Sequence, residues 1–399
     1  MKLVIFWEDF LHYHIARIVA LCDLAKKESI EIYPIALRAK SPELPIEGYH
    51  QLLNNKIKVL SNKTNNVGGN SKSSKAQLIT ALDEIAPDVV AIIGYTDRVS
   101  RAALSWCRYN QKGAVLMFES QEQDYNRHFL KEWIKSRIVR LYDAAITGGI
   151  NHANYVHKLG LPRQRIFFKY DTVDNHFWQK NTKITKNKRE QLRKHYDLPT
   201  RFFLTAARFI PKKNLTGLIA AYAKYVEEKG PDAWRLVIVG DGALGTDLKQ
   251  QVKQLNLEQL VYFPGYLSSQ QMAHFYGLAS TFILASSFSE QWGLVVNEAM
   301  ASGLPVLVSN ICGCVPELVI EGETGFSFDA KESKELTKLL CLTSSGQIDL
   351  EKMGHTAQQH IQKFAPTSFA DELLKAANLA IIHAQKRPKI IWPSLLFNH

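Results

Sequence analysis

Residues 286–305 read Ser286-Ser287-Phe288-Ser289-Glu290-Gln291-Trp292-Gly293-Leu294-Val295-Val296-Asn297-Glu298-Ala299-Met300-Ala301-Ser302-Gly303-Leu304-Pro305. One apolar run, 281–285, leads into this stretch and another, 305–308, closes it, so its order is strand, loop, helix, turn, strand. That order is a βαβ unit, in which the crossover helix covers one face of a parallel sheet. The helix at 294–302 is apolar almost all round, as a helix buried against a sheet must be. Its first amides, near Gly293, Leu294 and Val295, have no intrahelical acceptor and can be offered to an anion. Glu290 lies in the loop beyond the strand's C-terminal end and Glu298 lies on the helix, with seven residues between them.

The same rhythm extends outward. Strands are predicted at 202–206, 235–239 and 260–263, and helices at 215–228, 246–255 and 269–279. Repeated βαβ units make a doubly wound sheet, whose ligands sit beyond the C-terminal ends of its strands. Upstream, apolar runs at 3–7, 30–37, 89–93, 115–118 and 144–147 alternate with helical patterns at 16–26 and 78–85, which predicts a second parallel sheet. The polar stretch 61–74 reads as a loop. Between 180 and 194 seven basic residues face one acid, Glu190, before the strand at 202. The expected organisation is α/β: an N-terminal Rossmann-like domain over 1–178, a basic linker over 179–199, a C-terminal Rossmann-like domain over 200–365 and a final helical segment over 366–399.

A chain of 399 residues with 46% hydrophobic and 22% charged residues is long enough for two ordinary cores and gives no sign of disorder. Its net charge of +11 favours anionic partners, whether nucleic acid, an acidic membrane face or phosphorylated small molecules. Five scattered cysteines do not form a disulfide framework, and together with an N-terminus that turns acidic at Glu8 and Asp9 they predict a cytoplasmic protein. No apolar run approaches the length of a membrane-spanning helix.

Three tracts carry candidate chemistry. Gly240-Asp241-Gly242-Ala243-Leu244-Gly245 follows a predicted strand and matches a dinucleotide fingerprint. The acid expected about 20 positions on is replaced by Tyr262-Phe263-Pro264-Gly265-Tyr266, so a tight turn near a ligand stands beside the dinucleotide reading. Ala206-Ala207-Arg208-Phe209-Ile210-Pro211-Lys212-Lys213-Asn214 joins a strand to a helix and places cations at the ligand edge. A guanidinium can fork two phosphate oxygens and an ammonium can act as a point charge, so Arg208 with Lys213 suits a diphosphate; ordinary surface cations are the alternative. Glu298 can accept from two ribose hydroxyls and Glu290 from sugar hydroxyls. The same two glutamates could instead be a hydrolase's acid and nucleophile.

These tracts resemble the retaining glycosyltransferases of family 4, over about residues 200–328. The Glu290-to-Glu298 spacing matches the family signature, and Glu321-Gly322-Glu323-Thr324-Gly325-Phe326 resembles its E-G-x-T-G turn. Arg208 and Lys213 match the family's phosphate-binding Arg and its Lys, although Ala207 stands where Gly is usual. The resemblance places Glu290 at the donor sugar and Glu298 at the ribose, with Gly293, Leu294, Val295, Gly240, Asp241, Tyr266 and Gln291 as further donor contacts. The N-terminal half is thinner: 170–175 resembles the family's end-of-domain turn, but the glycine-rich loop many members have after the first strand is missing. His14 and Arg17 stand there instead, as acceptor or phosphate contacts or as packing residues. Glu119 occupies the place where many members have a His near the donor sugar, with Asp124 and Arg127 behind it as weaker acceptor contacts.

The resemblance implies the GT-B fold, two Rossmann-like domains facing a central cleft, with the last helix crossing back to the first domain. It implies metal-independent transfer of a hexose-type sugar, with retention, from a nucleotide-diphosphate donor to a hydroxyl of a saccharide or lipid-linked acceptor, in polysaccharide or glycolipid synthesis. The donor is a co-substrate, and no cofactor or metal is expected: no two aspartates are separated by a single residue. A sugar-nucleotide epimerase and a non-catalytic nucleotide-binding relative remain the alternatives. Nucleic acid is not expected, because the cations lack the interleaved aromatics of a single-strand groove. The tract 129–141 combines apolar positions at helical spacing with four cations and a Trp, which suits a helix lying on the inner face of an acidic membrane or one packed on the sheet.

Overall fold

The computed structural model describes residues 1–8, 10–37, 57–60 and 71–388. Asp9, most of the polar stretch 61–74 and the end of the final segment lie outside the described residues. The chain forms two compact units: Met1–Glu122, Asn126–Val173 and Phe364–His399 make the first, and Gln123–Tyr125 with Asp174–Lys363 the second.

In the first unit the order is β1 (Lys2–Trp7), α1 (His12–Lys27), β2 (Glu31–Ala36), β3 (Lys58–Val59), α2 (Ser71–Ile85), β4 (Val89–Ile93), α3 (Arg98–Tyr109), β5 (Gly113–Phe118), α4 (Phe129–Val139), β6 (Ala144–Thr147), α5 (Ile150–Lys158) and β7 (Ile166–Phe167). Helix α2 thus begins inside the stretch expected as a loop. The strands pair in parallel in the order β3-β2-β1-β4-β5-β6-β7. Strand β1 shows why the sheet is covered on both faces. Val4 and Phe6 point to one core, with Leu82, Ala103 and Val156 from α2, α3 and α5. Leu3, Ile5 and Trp7 point to the other, with Ile15 and Ile18 from α1. Every second residue is apolar on each side, which is the pattern of a doubly covered strand.

The second unit runs α6 (Asn175–Thr182), α7 (Lys186–Tyr196), β8 (Phe202–Ala206), α8 (Leu215–Lys229), β9 (Arg235–Val239), α9 (Gly245–Gln254), β10 (Val261–Gly265), α10 (Ser269–Leu278), β11 (Thr281–Leu284), α11 (Leu294–Ala301), β12 (Val306–Ser309), α12 (Val315–Leu318), β13 (Gly325–Phe328), α13 (Ser333–Ser344) and α14 (Leu350–His360). Its parallel strands lie in the order β10-β9-β8-β11-β12-β13. Phe203, Leu236, Ile238, Ile283 and Leu307 share a core with α8 and α13. The basic stretch 179–199 is largely helical: α7 carries its cations on a helix with no buried residue. The turn that resembles E-G-x-T-G ends in a sixth strand, β13, which the apolar pattern alone did not foretell.

The last described helix, α15 (Pro366–Gln385), belongs to the first unit. It buries Phe369, Leu373 and a row of alanines, Ala376, Ala377 and Ala380, in the core that β1 and α1 also line. Pro366 opens it, where a missing amide hydrogen costs nothing.

Candidate functional site

In the second sheet the strand order turns back between β8 and β11, and the loops beyond these two strands are 207–214 and 285–293. A doubly wound sheet opens its ligand crevice at this switch point. The loop after β8 ends in a short turn, Pro211–Lys213, and Asn214 then takes φ 50° as α8 begins. This brings the ammonium of Lys213 to Glu290 Oε2, to which it donates a hydrogen bond. Lys212 Nζ lies 3.8 Å from Glu290 Oε1 and donates to the Ser289 carbonyl at 3.2 Å. Ser286 Oγ donates to Glu290 Oε2 at 2.7 Å.

Glu290 is only 6% exposed. Burial alone would raise its pKa, but the charges of Lys213 and Lys212, with hydrogen bonds from Lys213 and Ser286, outweigh it and hold the carboxylate below its ordinary range. Two lysines around one carboxylate leave this corner with a net positive charge, and Arg208, in the same loop, is exposed. Ser289, just before Glu290, has φ 50°, a left-handed conformation costing about 1 kcal/mol or more for a side-chain residue. The Lys212 bond to its carbonyl and the Ser287 amide bond to the Lys212 carbonyl, 2.9 Å, fix it.

Gly293 opens α11 with φ 103°, and a Cβ there would meet Leu284 Cδ2 at 2.7 Å. Only glycine brings the chain from Trp292 into this helix so tightly against β11. Leu294 and Val295 form its first turn, where amides have no intrahelical acceptor, and both residues stay half-buried. Gln291 is also half-buried. The loop after β12 supports this geometry from behind: Gly313 and Cys314 amides donate to the carbonyls of Glu290 and Trp292 at 3.1 and 3.3 Å. Glu298, one helical turn on, is buried and accepts from the Tyr276 hydroxyl at 3.0 Å. Burial and the charge of Glu298 push the Tyr276 phenol well up, so it stays a donor.

The glycine tract acts within the same edge. The Phe209 amide donates to the Asp241 carbonyl at 2.8 Å, and Leu244 donates back to Phe209 at 3.1 Å. A Cβ on Gly240, φ 128°, would lie 2.0 Å from the Ala207 carbonyl oxygen. This glycine is therefore required by the neighbouring loop that carries Arg208, which is the tight-turn reading of the tract. Asp241 and Tyr266 are exposed beside it, and Gly265 accepts from the Gly240 amide at 2.9 Å.

The first unit holds a different cluster. Arg17 is fully buried: its Nε donates to the Thr172 carbonyl at 3.3 Å, Nη2 lies 3.6 Å from Asp171 Oδ1, and its guanidinium sits 4.6 Å from the Tyr170 ring centre. Glu119, half-buried beyond β5, lies close enough to Asp171 for the two carboxyls to influence each other. Burial raises both carboxyls, Asp171 furthest, and Arg17 only partly offsets this. His14 is buried too. It stacks on Trp7 at 4.6 Å, and its Nδ1 accepts from the Leu11 amide at 3.3 Å, capping α1. Asp124 is buried. Arg127 pairs with Glu132 at 3.9 Å and lies over Tyr155. Among the described residues no group of three or more His, Cys, Asp or Glu side chains is placed to hold a metal ion, and none of the five cysteines is in a disulfide.

The structure therefore brings Lys213, Glu290, Arg208 and the head of α11 to one edge, and leaves Glu298 one turn behind them. Sequence reading missed Lys212, Ser286 and Tyr276. Lys212 adjoins Lys213 and Ser286 lies four residues before Glu290, so both could have been suspected; nothing in the sequence ties Tyr276 to Glu298. Asp171, the partner of Arg17, carried no signal of that pairing either.

Residues 187–360 match the family model for glycosyl transferases group 1. Among curated proteins, the N-acetyl-alpha-D-glucosaminyl L-malate synthase of Bacillus anthracis is 29% identical over 185 residues, 45% of this chain and 45% of that protein. The alpha-monoglucosyldiacylglycerol synthase of Streptococcus pneumoniae is 36% identical over 104 residues, 26% of this chain and 23% of that protein. The chain thus spans less than half the length of these curated relatives. A solved structure of HepE from Anabaena, in complex with UDP and glucose, covers 95% of this chain and 99% of its own, with a TM-score of 0.72 and 18% identity. The fold is GT-B.

Proposed function

We propose that this chain, whose residues 187–360 are those of glycosyl transferases group 1, transfers a hexose-type sugar from a nucleotide-diphosphate donor to a hydroxyl acceptor with retention and without a metal. The observation that carries the reading is the switch-point corner, where Lys212 and Lys213 surround one ionised glutamate beside the N-terminus of α11. Its excess positive charge and first-turn amides fit a diphosphate whose negative charge grows as the glycosidic bond breaks. Arg208 and Lys213 neutralise the leaving group, and Glu290 holds Lys213 in place while offering its carboxylate to the sugar hydroxyls. Glu298 accepts from the ribose, with Tyr276 fixing its orientation. A leaving diphosphate oxygen on the acceptor's side takes the acceptor proton, so no separate base is required. The likeness to a protein solved with UDP and glucose supports a nucleoside diphosphate sugar as donor.

The acceptor is a saccharide or lipid-linked hydroxyl, and the reaction belongs to polysaccharide or glycolipid synthesis. The test is nucleotide release from UDP-, GDP- and ADP-sugars. Release that depends on an acceptor, survives chelation by EDTA, and gives a product of unchanged anomeric configuration by NMR is the expected result. Release without net transfer, or conversion of the donor into its epimer, would sink the reading.

A further inference from the structure

Helix α4 presents an outer face that the fold of the first unit does not use. Phe129, Leu130, Trp133 and Ile134 are 74%, 54%, 58% and 52% exposed, four large apolar side chains on one helix of eleven residues. At 100° per residue they fall within an arc of about 140°, with Arg137 between them and Lys131 about 60° beyond its edge. Arg137 lies over the Trp133 ring at 5.0 Å, and both cations are exposed. The one acid of the helix, Glu132, is turned the other way: it pairs with Lys135 at 2.7 Å and accepts from Tyr155 at 2.9 Å, while Val139 is buried. Helix α4 is thus anchored through Glu132, Lys135, Ile138 and Val139 and shows water the face that carries Phe129, Leu130, Trp133 and Ile134.

A soluble surface rarely leaves four such side chains together without an occupant. Charge identifies it. The exposed face carries cations and no acid, on a chain of net charge +11. Large apolar groups interleaved with Lys and Arg match the boundary between acyl chains and anionic headgroups, where rings and aliphatic chains enter the bilayer and the cations reach phosphates. We infer that α4 docks this protein on an anionic phospholipid bilayer, with Phe129, Leu130, Trp133 and Ile134 entering the interface and Lys131 and Arg137 at the headgroups. The inference stands apart from the sugar-transfer reading, since it rests on no residue of the donor corner.

The experiment is co-sedimentation of the full chain, without donor or acceptor, with phosphatidylcholine–phosphatidylglycerol vesicles and with phosphatidylcholine alone. Binding to the anionic vesicles, weakened by salt and absent from the neutral ones, is expected. Lys131→Glu with Arg137→Glu should lower partitioning by roughly 25-fold or more, about fivefold per cation removed. Trp133→Ser with Ile134→Ser should lower it by about tenfold or more. Both pairs are exposed, so circular dichroism should show the native fold. Wild-type protein left in the supernatant, equal binding to neutral vesicles, or full binding by either double variant would overturn the inference. So would wild-type self-association in sedimentation velocity that either double variant abolishes, because the face would then belong to a second copy.

Discussion

Two clusters of carboxylates and cations stand at the C-terminal edges of two sheets, and their charge balance differs in sign. Around Glu290 there are two lysines to one carboxylate; around Arg17 there are two carboxyls to one guanidinium. In the first case burial is overcome, Glu290 stays ionised and the corner keeps a positive surplus. In the second the excess acid is expensive to ionise in a dry place, so burial raises the pKa of both Glu119 and Asp171, and Arg17 offsets this only in part. A surplus of positive charge suits the Glu290 corner to an anion, whereas the groups around Arg17 hold neighbouring segments together. Arg17 ties α1 to the 170–172 segment, where it meets Asp171, the Thr172 carbonyl and the Tyr170 ring.

The sharpest way to break this contrast is Arg17→Met. Leaving two acids without their cation should cost about 3–5 kcal/mol of stability, read by chemical denaturation of the first unit. A silent variant would mean that Arg17 is available to a ligand after all. Lys213→Ala should lower kcat roughly a hundredfold or more in steady-state assays, because it removes the cation nearest the proposed leaving group. An unchanged kcat would reduce the Glu290 corner to packing. Glu298→Ala should weaken nucleotide binding by about tenfold or more in calorimetry, with a smaller effect on kcat. Equal affinity would remove the ribose role and leave Glu298 as the partner of Tyr276.

The smallest effect separates the clusters by pH. Glu290 has a depressed pKa, so its contribution is present above the unfolded value, near 4.5, and is lost as pH falls through the folded one. Asp171 is shifted the other way, above 3.8, so the folded first unit binds a proton that the unfolded chain releases. Its contribution is full below that value and is lost as pH rises through the folded pKa. Thermal midpoints should therefore fall as pH rises from about 4 in wild type, and fall less in Glu119→Gln. Identical slopes would deny the coupling of Glu119 to Asp171.

Much of the molecule was readable from its residues because the sheets are parallel and covered on both faces. Such strands are continuous apolar runs, and β8, β9 and α11 lie within a residue of their expected ends. Gly293 and Gly240 announce tight turns, and the tract from Glu290 to Glu298 announces a helix head at a sheet edge. The misses have a physical pattern as well. Helix α2 begins with Ser and Lys, which look like loop, so only its apolar second half at 78–85 was readable, and α7 has no buried face and offers no apolar period at all. Strand β3 has two residues, too few for any alternation.

What the sequence determined alone was the α/β class, the two-part plan, the residue types at the switch-point edge and the amphipathic tract at 129–141, since each follows from local spacing and composition. Tertiary structure alone decided the partnerships: Lys213 with Glu290 across 77 positions, Tyr276 with Glu298, Arg17 with Asp171, and which side of α4 meets water. Those depend on distances set by the parallel crossovers, which bring far-apart residues to one edge and leave neighbours in sequence on opposite faces. For that reason the kinds of residue at the site were legible, while the sign of the charge each cluster keeps was not.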